Sequence, residues 1–133
     1  MKQTAILTTM SLLSIVLVTF HLADDIVRGF EKGQLSNLSA IPIVVVWLYG
    51  TLVLAERRSG YVIVCLASLL GLAVPVIHMQ GRGVGLESRI GHTAGAFFFV
   101  WTLLALGATA TFSAVLAARA LWNASRDRQT RTA

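Results

Sequence analysis

Apolar residues fill four long blocks of the chain, about 4–23, 38–55, 61–79 and 93–118, and polar residues crowd into the three breaks DDIVRGFEKGQLSN, ERRSG and QGRGVGLESRIGH. Each block approaches the roughly 20 apolar residues that carry a helix across the hydrocarbon of a bilayer. Short breaks join neighbouring antiparallel helices, so the pattern predicts an all-α fold: an integral membrane, up-down-up-down four-helix bundle built from residues 1–133 as one domain. The second block is rich in Val and Ile and would favour a strand in water. In lipid, a helix is required because it satisfies its own backbone groups. No internal repeat is evident.

Within the first block the pattern is broken at its end by HLADDIVRG, residues 21 to 29, which sets one histidine, two aspartates and one arginine at helical spacing. At 100° per residue Asp25 lies about 40° from His21, Arg28 about 20° to the other side, and Ser14 within about 20°. Asp24 at about 60° and Ser11 at about 80° widen this stripe without redirecting it. Turning such a stripe to lipid costs several kcal/mol near the bilayer centre, so it is expected to face the other helices.

Composition agrees with the pattern. Hydrophobic residues make up 56% of the chain and charged residues 13%, against about a quarter charged in an ordinary soluble domain. The net charge of +5 does not point to nucleic acid, because the basic residues sit at the ends of apolar blocks with no aromatic-basic face. They report orientation instead. With both termini on one side, that side holds Lys2, Arg57, Arg58, Arg119, Arg126, Arg128 and Arg131, and the other holds only Arg28, Lys32, Arg82 and Arg89. The positive-inside rule then predicts cytoplasmic termini, in a membrane such as the bacterial inner membrane. Trp122 fits an interfacial anchor, while Trp47 and Trp101 are expected to pack inside. Lys2 and the apolar run after it resemble a signal peptide, but cleavage after Ala23 would put His21 where a small residue is wanted, so a retained helix is expected.

All three histidines, His21, His78 and His92, fall at the same end of their blocks, together with Asp24, Asp25 and Glu87. Imidazole with carboxylate suits Zn, Cu, Fe or Ni ions, whereas Mg and Ca favour oxygen alone. The expected site therefore uses His21, Asp25, His78 and His92 to bind a metal ion or small polar ligand, with Asp24 and Glu87 tuning its charge and Arg28 orienting a carboxylate. Two other readings stand beside it. Paired histidines at one depth can ligate haem, or one can hold chlorophyll magnesium; alternatively these groups only cap helices, and the chain is an accessory subunit without chemistry. His21 with Asp24 or Asp25 as acid and base of a membrane enzyme is a third choice, since Cys65 and the serines lack a nucleophile's surroundings.

Smaller signals refine the picture. Pro75 should kink the third helix and aim His78, and Pro42 marks a helix start. The Gly-rich GRGVG, residues 81 to 85, follows a helix and lacks the Lys-Ser/Thr of a phosphate loop, so it reads as a turn or a lid. Gly91 with Gly95, and Gly107, Thr111, Ala114 and Ala118, offer small-residue faces for close packing within the bundle, in a homo-oligomer or against other membrane subunits. The basic tail RDRQTR can touch anionic lipid. In size and segment number the chain is similar to small multidrug transporters, but it has no acid in the first block before Asp24 and so lacks their embedded carboxylate.

Overall fold

The computed structural model describes residues 2–29, 38–79 and 94–132. These form four α-helices in the order α1 (Lys2–Val27), α2 (Ala40–Leu52), α3 (Arg58–Met79) and α4 (Ala94–Thr132). Three stretches, Gln3–Val27, Arg58–His78 and Gly95–Arg126, are long and apolar enough to cross a membrane.

Local chemistry explains where the helices stop. α1 continues past the expected Ala23 because the charged residues beyond it are themselves one helical turn apart, His21 with Asp25 and Asp24 with Arg28. Gly29 then takes the left-handed conformation, φ 73°, that commonly ends a helix, and its N–H donates to the Ile26 carbonyl at 3.0 Å. α2 is shorter than its apolar block. Its 13 residues reach about 20 Å, less than the roughly 30 Å of a bilayer core. The chain reverses at once behind it, with Glu56 at φ 67° and the Arg57 N–H donating to the Leu54 carbonyl at 3.0 Å. A side chain at Gly60 would run into that Leu54 carbonyl, so the tight return depends on glycine. α4 runs on through the basic tail to Thr132 rather than ending near Ala118.

α4 is the helix on which α1 and α3 pack most extensively, and α2 lies against α3 and α1. Its buried face is Ala96, Phe99, Leu103, Leu106, Ala110 and Ala117, mostly at steps of three and four. Gly71 of α3 comes against Ala110 and the Trp47 ring, and Gly107 comes against the ring of Pro75. Pro75 therefore sits in the α3–α4 seam, inside a helix that continues to Met79. The expected small-residue face on α4 is only partly used: Gly107 is in the seam, but Thr111 and Ala118 are exposed, and Ala110, Ser113 and Ala117 are buried instead. Trp47 is buried as expected, whereas Trp101 is exposed and stacked on Phe97 at 6.3 Å. Position 101 lies off the inward stripe that Phe99, Leu103 and Leu106 define.

The distribution of polarity on α1 is inverted relative to a helix on a water-soluble protein. Leu7, Ser11, Ser14, His21 and Asp25 are buried, while Ile6, Leu13, Val16 and Phe20 point outward. Exposed Val, Leu, Ile and Phe cover the other helices as well, a surface consistent with contact to lipid. Gly60→Ala should overpack the α2–α3 turn and destabilise the chain by about 1–3 kcal/mol, read as a lower thermal midpoint in detergent by circular dichroism. Ser59→Ala on the exposed side of the turn should leave that midpoint unchanged.

Candidate metal centre

Three of the expected groups meet at one end of the bundle. His21 and Asp25 come from successive turns of α1, and His78 comes from the last turn of α3. Asp25 Oδ2 stands 3.6 Å from His21 Nε2 and 3.7 Å from His78 Nε2. These separations are long for a hydrogen bond and near the roughly 3.3–3.4 Å between donor atoms around a tetrahedral ion with bonds of about 2.0–2.1 Å. One donor atom from each residue lies within 4.8 Å of the others, a spacing at which the three could hold one ion.

The imidazoles are set for such a role in different ways. His78 Nδ1 lies 2.8 Å from the Val74 carbonyl of its own helix and donates there, so that in the neutral ring Nε2 is the lone-pair nitrogen, and it faces Asp25. This bond holds the His78 ring against its own helix. The His21 ring is 2% exposed, and neither of its nitrogens has a hydrogen-bond partner among the described residues. Its ring meets His78 edge to face at 4.8 Å and leans on Phe99 of α4 at 5.0 Å. Phe99, fully buried, is thus the site's wall. Nothing in the run FFFVW distinguishes it by composition; only the three- and four-residue spacing of the α4 face does.

Asp24 and Arg28 have a different task from Asp25. Arg28 Nε donates to Asp24 Oδ2 at 2.6 Å, its Nη2 donates to the Gly95 carbonyl, and its Cζ lies 5.7 Å from the centre of the Phe99 ring. The guanidinium ties the end of α1 to the start of α4 and covers the aromatic wall. Arg28 engages Asp24, and Asp25 faces the two imidazoles. Gly95 lets the guanidinium approach closely, since a Cβ there would lie 2.8 Å from Arg28 Nη2 and push it back. His92 and Glu87, together with the Gly-rich turn and Gly91, lie outside the described residues. The deeper polar groups of α1 have partners of their own: Ser14 Oγ donates to Thr109 Oγ1 at 3.0 Å, and Ser11 Oγ accepts from Trp47 Nε1 at 2.8 Å.

Two imidazoles and one carboxylate form a donor set that can hold a transition-metal ion, with positions left for water or another group. Gly95→Ala and Arg28→Met should each destabilise the chain by about 1–2 kcal/mol through the lost latch. The double variant should be no worse than the more damaged single one, because both remove the same interaction; a denaturation cycle measures this. No known family model, curated protein or solved structure matches the chain, so its function has to be read from the site itself.

Proposed function

We propose that the chain is an integral membrane protein, an up-down-up-down bundle with both termini cytoplasmic, that binds a transition-metal ion of the Zn(II) or Fe(II) class near its extracytoplasmic face through His21, Asp25 and His78. The membrane setting is supported by the three long apolar stretches and by the outward apolar surface of all four helices. Alternating direction is supported by the contacts: Arg28 reaches Gly95 while Ser14 reaches Thr109, so numbering rises along α1 as it falls along α4. The pairs Gly71 with Ala110 and Pro75 with Gly107 run the same way between α3 and α4. Orientation rests on the excess of Lys and Arg at the ends of the chain and in the α2–α3 turn, with exposed Trp122 as an interfacial anchor.

The observation that carries the metal reading is the buried His21 ring, without a hydrogen bond at either nitrogen, facing a carboxylate and a second imidazole across gaps of the right size for an ion. Leaving a buried polar atom unpaired costs about 1–3 kcal/mol, and a cation bound at Nε2 removes that cost at this nitrogen. A role confined to helix assembly gives no reason for this arrangement, since assembly is served better by satisfied groups. An ion also fits better than a tetrapyrrole: imidazoles in edge contact at 4.8 Å leave no gap for a macrocycle between them.

Titration of the purified protein in mild detergent with Co(II), followed by its visible absorption, tests the reading. One ion per chain is expected, and His21→Ala, Asp25→Asn and His78→Ala should each weaken binding by at least the roughly 10–100-fold that loss of a supporting partner alone costs. Arg57→Gln, at the opposite end, should bind as the parent does. Absence of binding, or equal binding by the His21→Ala/His78→Ala variant, would overturn the assignment.

A further inference from the structure

A second group of polar side chains lies deeper in the bundle; by the register of Arg28 on Gly95 and Ser14 on Thr109, the buried Leu103 and Leu106 of α4 fall at levels between it and His21. Ser11, Trp47 and Thr51 form a closed set: the indole donates to Ser11 at 2.8 Å, Ser11 and Thr51 hydroxyls lie 2.7 Å apart, and Thr51 donates to the Trp47 carbonyl at 2.8 Å. Ser14 and Thr109 are joined beside them. Ser68 on α3 and Ser113 on α4 behave differently. Both are fully buried, and neither hydroxyl has a hydrogen-bond partner among the described residues. Helical serines and threonines commonly satisfy themselves by donating to the carbonyl four residues back, as Thr51 and Thr109 do here. The contact of Gly71 with Ala110 sets the register of α3 on α4 and places Ser68 and Ser113 at one level. Two orphaned hydroxyls thus share a layer with five satisfied polar groups, in a bundle whose outside is apolar.

This layer is continuous with the far end of the molecule. A cleft of about 330 Å³ opens there between the start of α1, the α2–α3 turn and α4, and it is lined by Gln3, Glu56, Tyr61 and Asn123. A narrow crevice shares Glu56 and Tyr61 with that cleft and extends to Thr8 and Thr51, and Thr51 is the hydroxyl that meets Ser11. From the cleft inward, Thr8 and Thr51 lead through a mainly apolar crevice to the hydroxyl layer, and between that layer and the level of His21 α4 buries Leu103 and Leu106.

We propose that the protein is a permease for a divalent transition-metal ion, and that the ion bound by His21, Asp25 and His78 is cargo that passes the Leu103–Leu106 constriction to the hydroxyl layer and leaves through the Glu56 cleft. The proposal rests on the metal reading of the site. Polar groups buried in membrane helices mark ion pathways when they line a wettable interior. Hydroxyls that only hold helices together are bonded to a partner; those of Ser68 and Ser113 are not, and a passing hydrated ion supplies what they lack. The leucine pair supplies a dewetted gate that closes the path at rest.

The test is zinc uptake by vesicles reconstituted with the full chain and loaded with a fluorescent zinc indicator, with Co(II) binding measured on the same preparations. Parent vesicles should take up Zn(II) faster than protein-free vesicles. Ser68→Ala/Ser113→Ala, which only removes unpaired hydroxyls from the core, should bind Co(II) as the parent does and lose the uptake. Leu106→Ala should bind equally and conduct faster. Parent uptake no faster than that of empty vesicles, with Co(II) binding intact, would overturn the permease while leaving the metal site standing. Uptake by the double serine variant at the parental rate would overturn the hydroxyl route. Loss of Co(II) binding by the parent itself would instead be failure of the site.

Discussion

The burial of α1's polar face is the constraint on which the rest of the structure depends. From Ser11 to Asp25 the inward positions of this helix are Ser11, Ser14, His21 and Asp25 among apolar neighbours, while its outward positions are large and apolar. A helix patterned in this way has one stable setting in an apolar surrounding, with its polar stripe against other helices that can answer it. Thr109 answers Ser14, Thr51 and Trp47 answer Ser11, and His78 stands opposite Asp25. Each neighbour is thereby fixed in rotation about its own axis.

Close packing makes those answers reachable. α3 approaches α4 through Gly71 against Ala110 and Pro75 against Gly107, and this tight seam carries the last turn of α3, with His78, onto Phe99 at 5.6 Å between ring centres. Arg28 closes the same end from the α1 side by holding Asp24, the Gly95 carbonyl and the Phe99 face. Division of labour between adjacent aspartates follows: one is engaged by an arginine and the other is turned to imidazoles. The centre is therefore a product of helix packing as much as of its own residue types.

Much of this was legible in the residues. Helical spacing alone put His21, Asp25 and Ser14 on one stripe and turned that stripe inward, because the cost of the alternative depends only on residue type and periodicity. His78 was legible as a residue at the same depth, being at the corresponding end of its block. Other features depend on long-range packing, which one-dimensional spacing does not carry. The choice of Asp24 as the partner of Arg28, the role of Phe99 as a wall and the exposure of Trp101 all follow from the rotation of α4. The shortness of α2 was hidden because apolar residues continue to Ala55, whereas the helix ends where Gly60 lets the backbone return against Leu54. Ser68 and Ser113 gave no signal in their apolar runs, since a lone serine in such a segment is ordinarily self-satisfied.

The polar stripe, the cluster of His21, Asp25 and His78, and the hydroxyl layer together describe a bundle whose polar groups are inside and whose surface is apolar. The central claim is that the buried end of the stripe is a ligand set. X-ray absorption at the zinc edge, on zinc-loaded protein in detergent, tests it most directly. The expected spectrum has nitrogen and oxygen neighbours at about 2.0–2.2 Å, with the outer scattering pattern of two imidazole rings that disappears in His21→Ala/His78→Ala. An all-oxygen shell without imidazole scattering, unchanged in that variant, would contradict it.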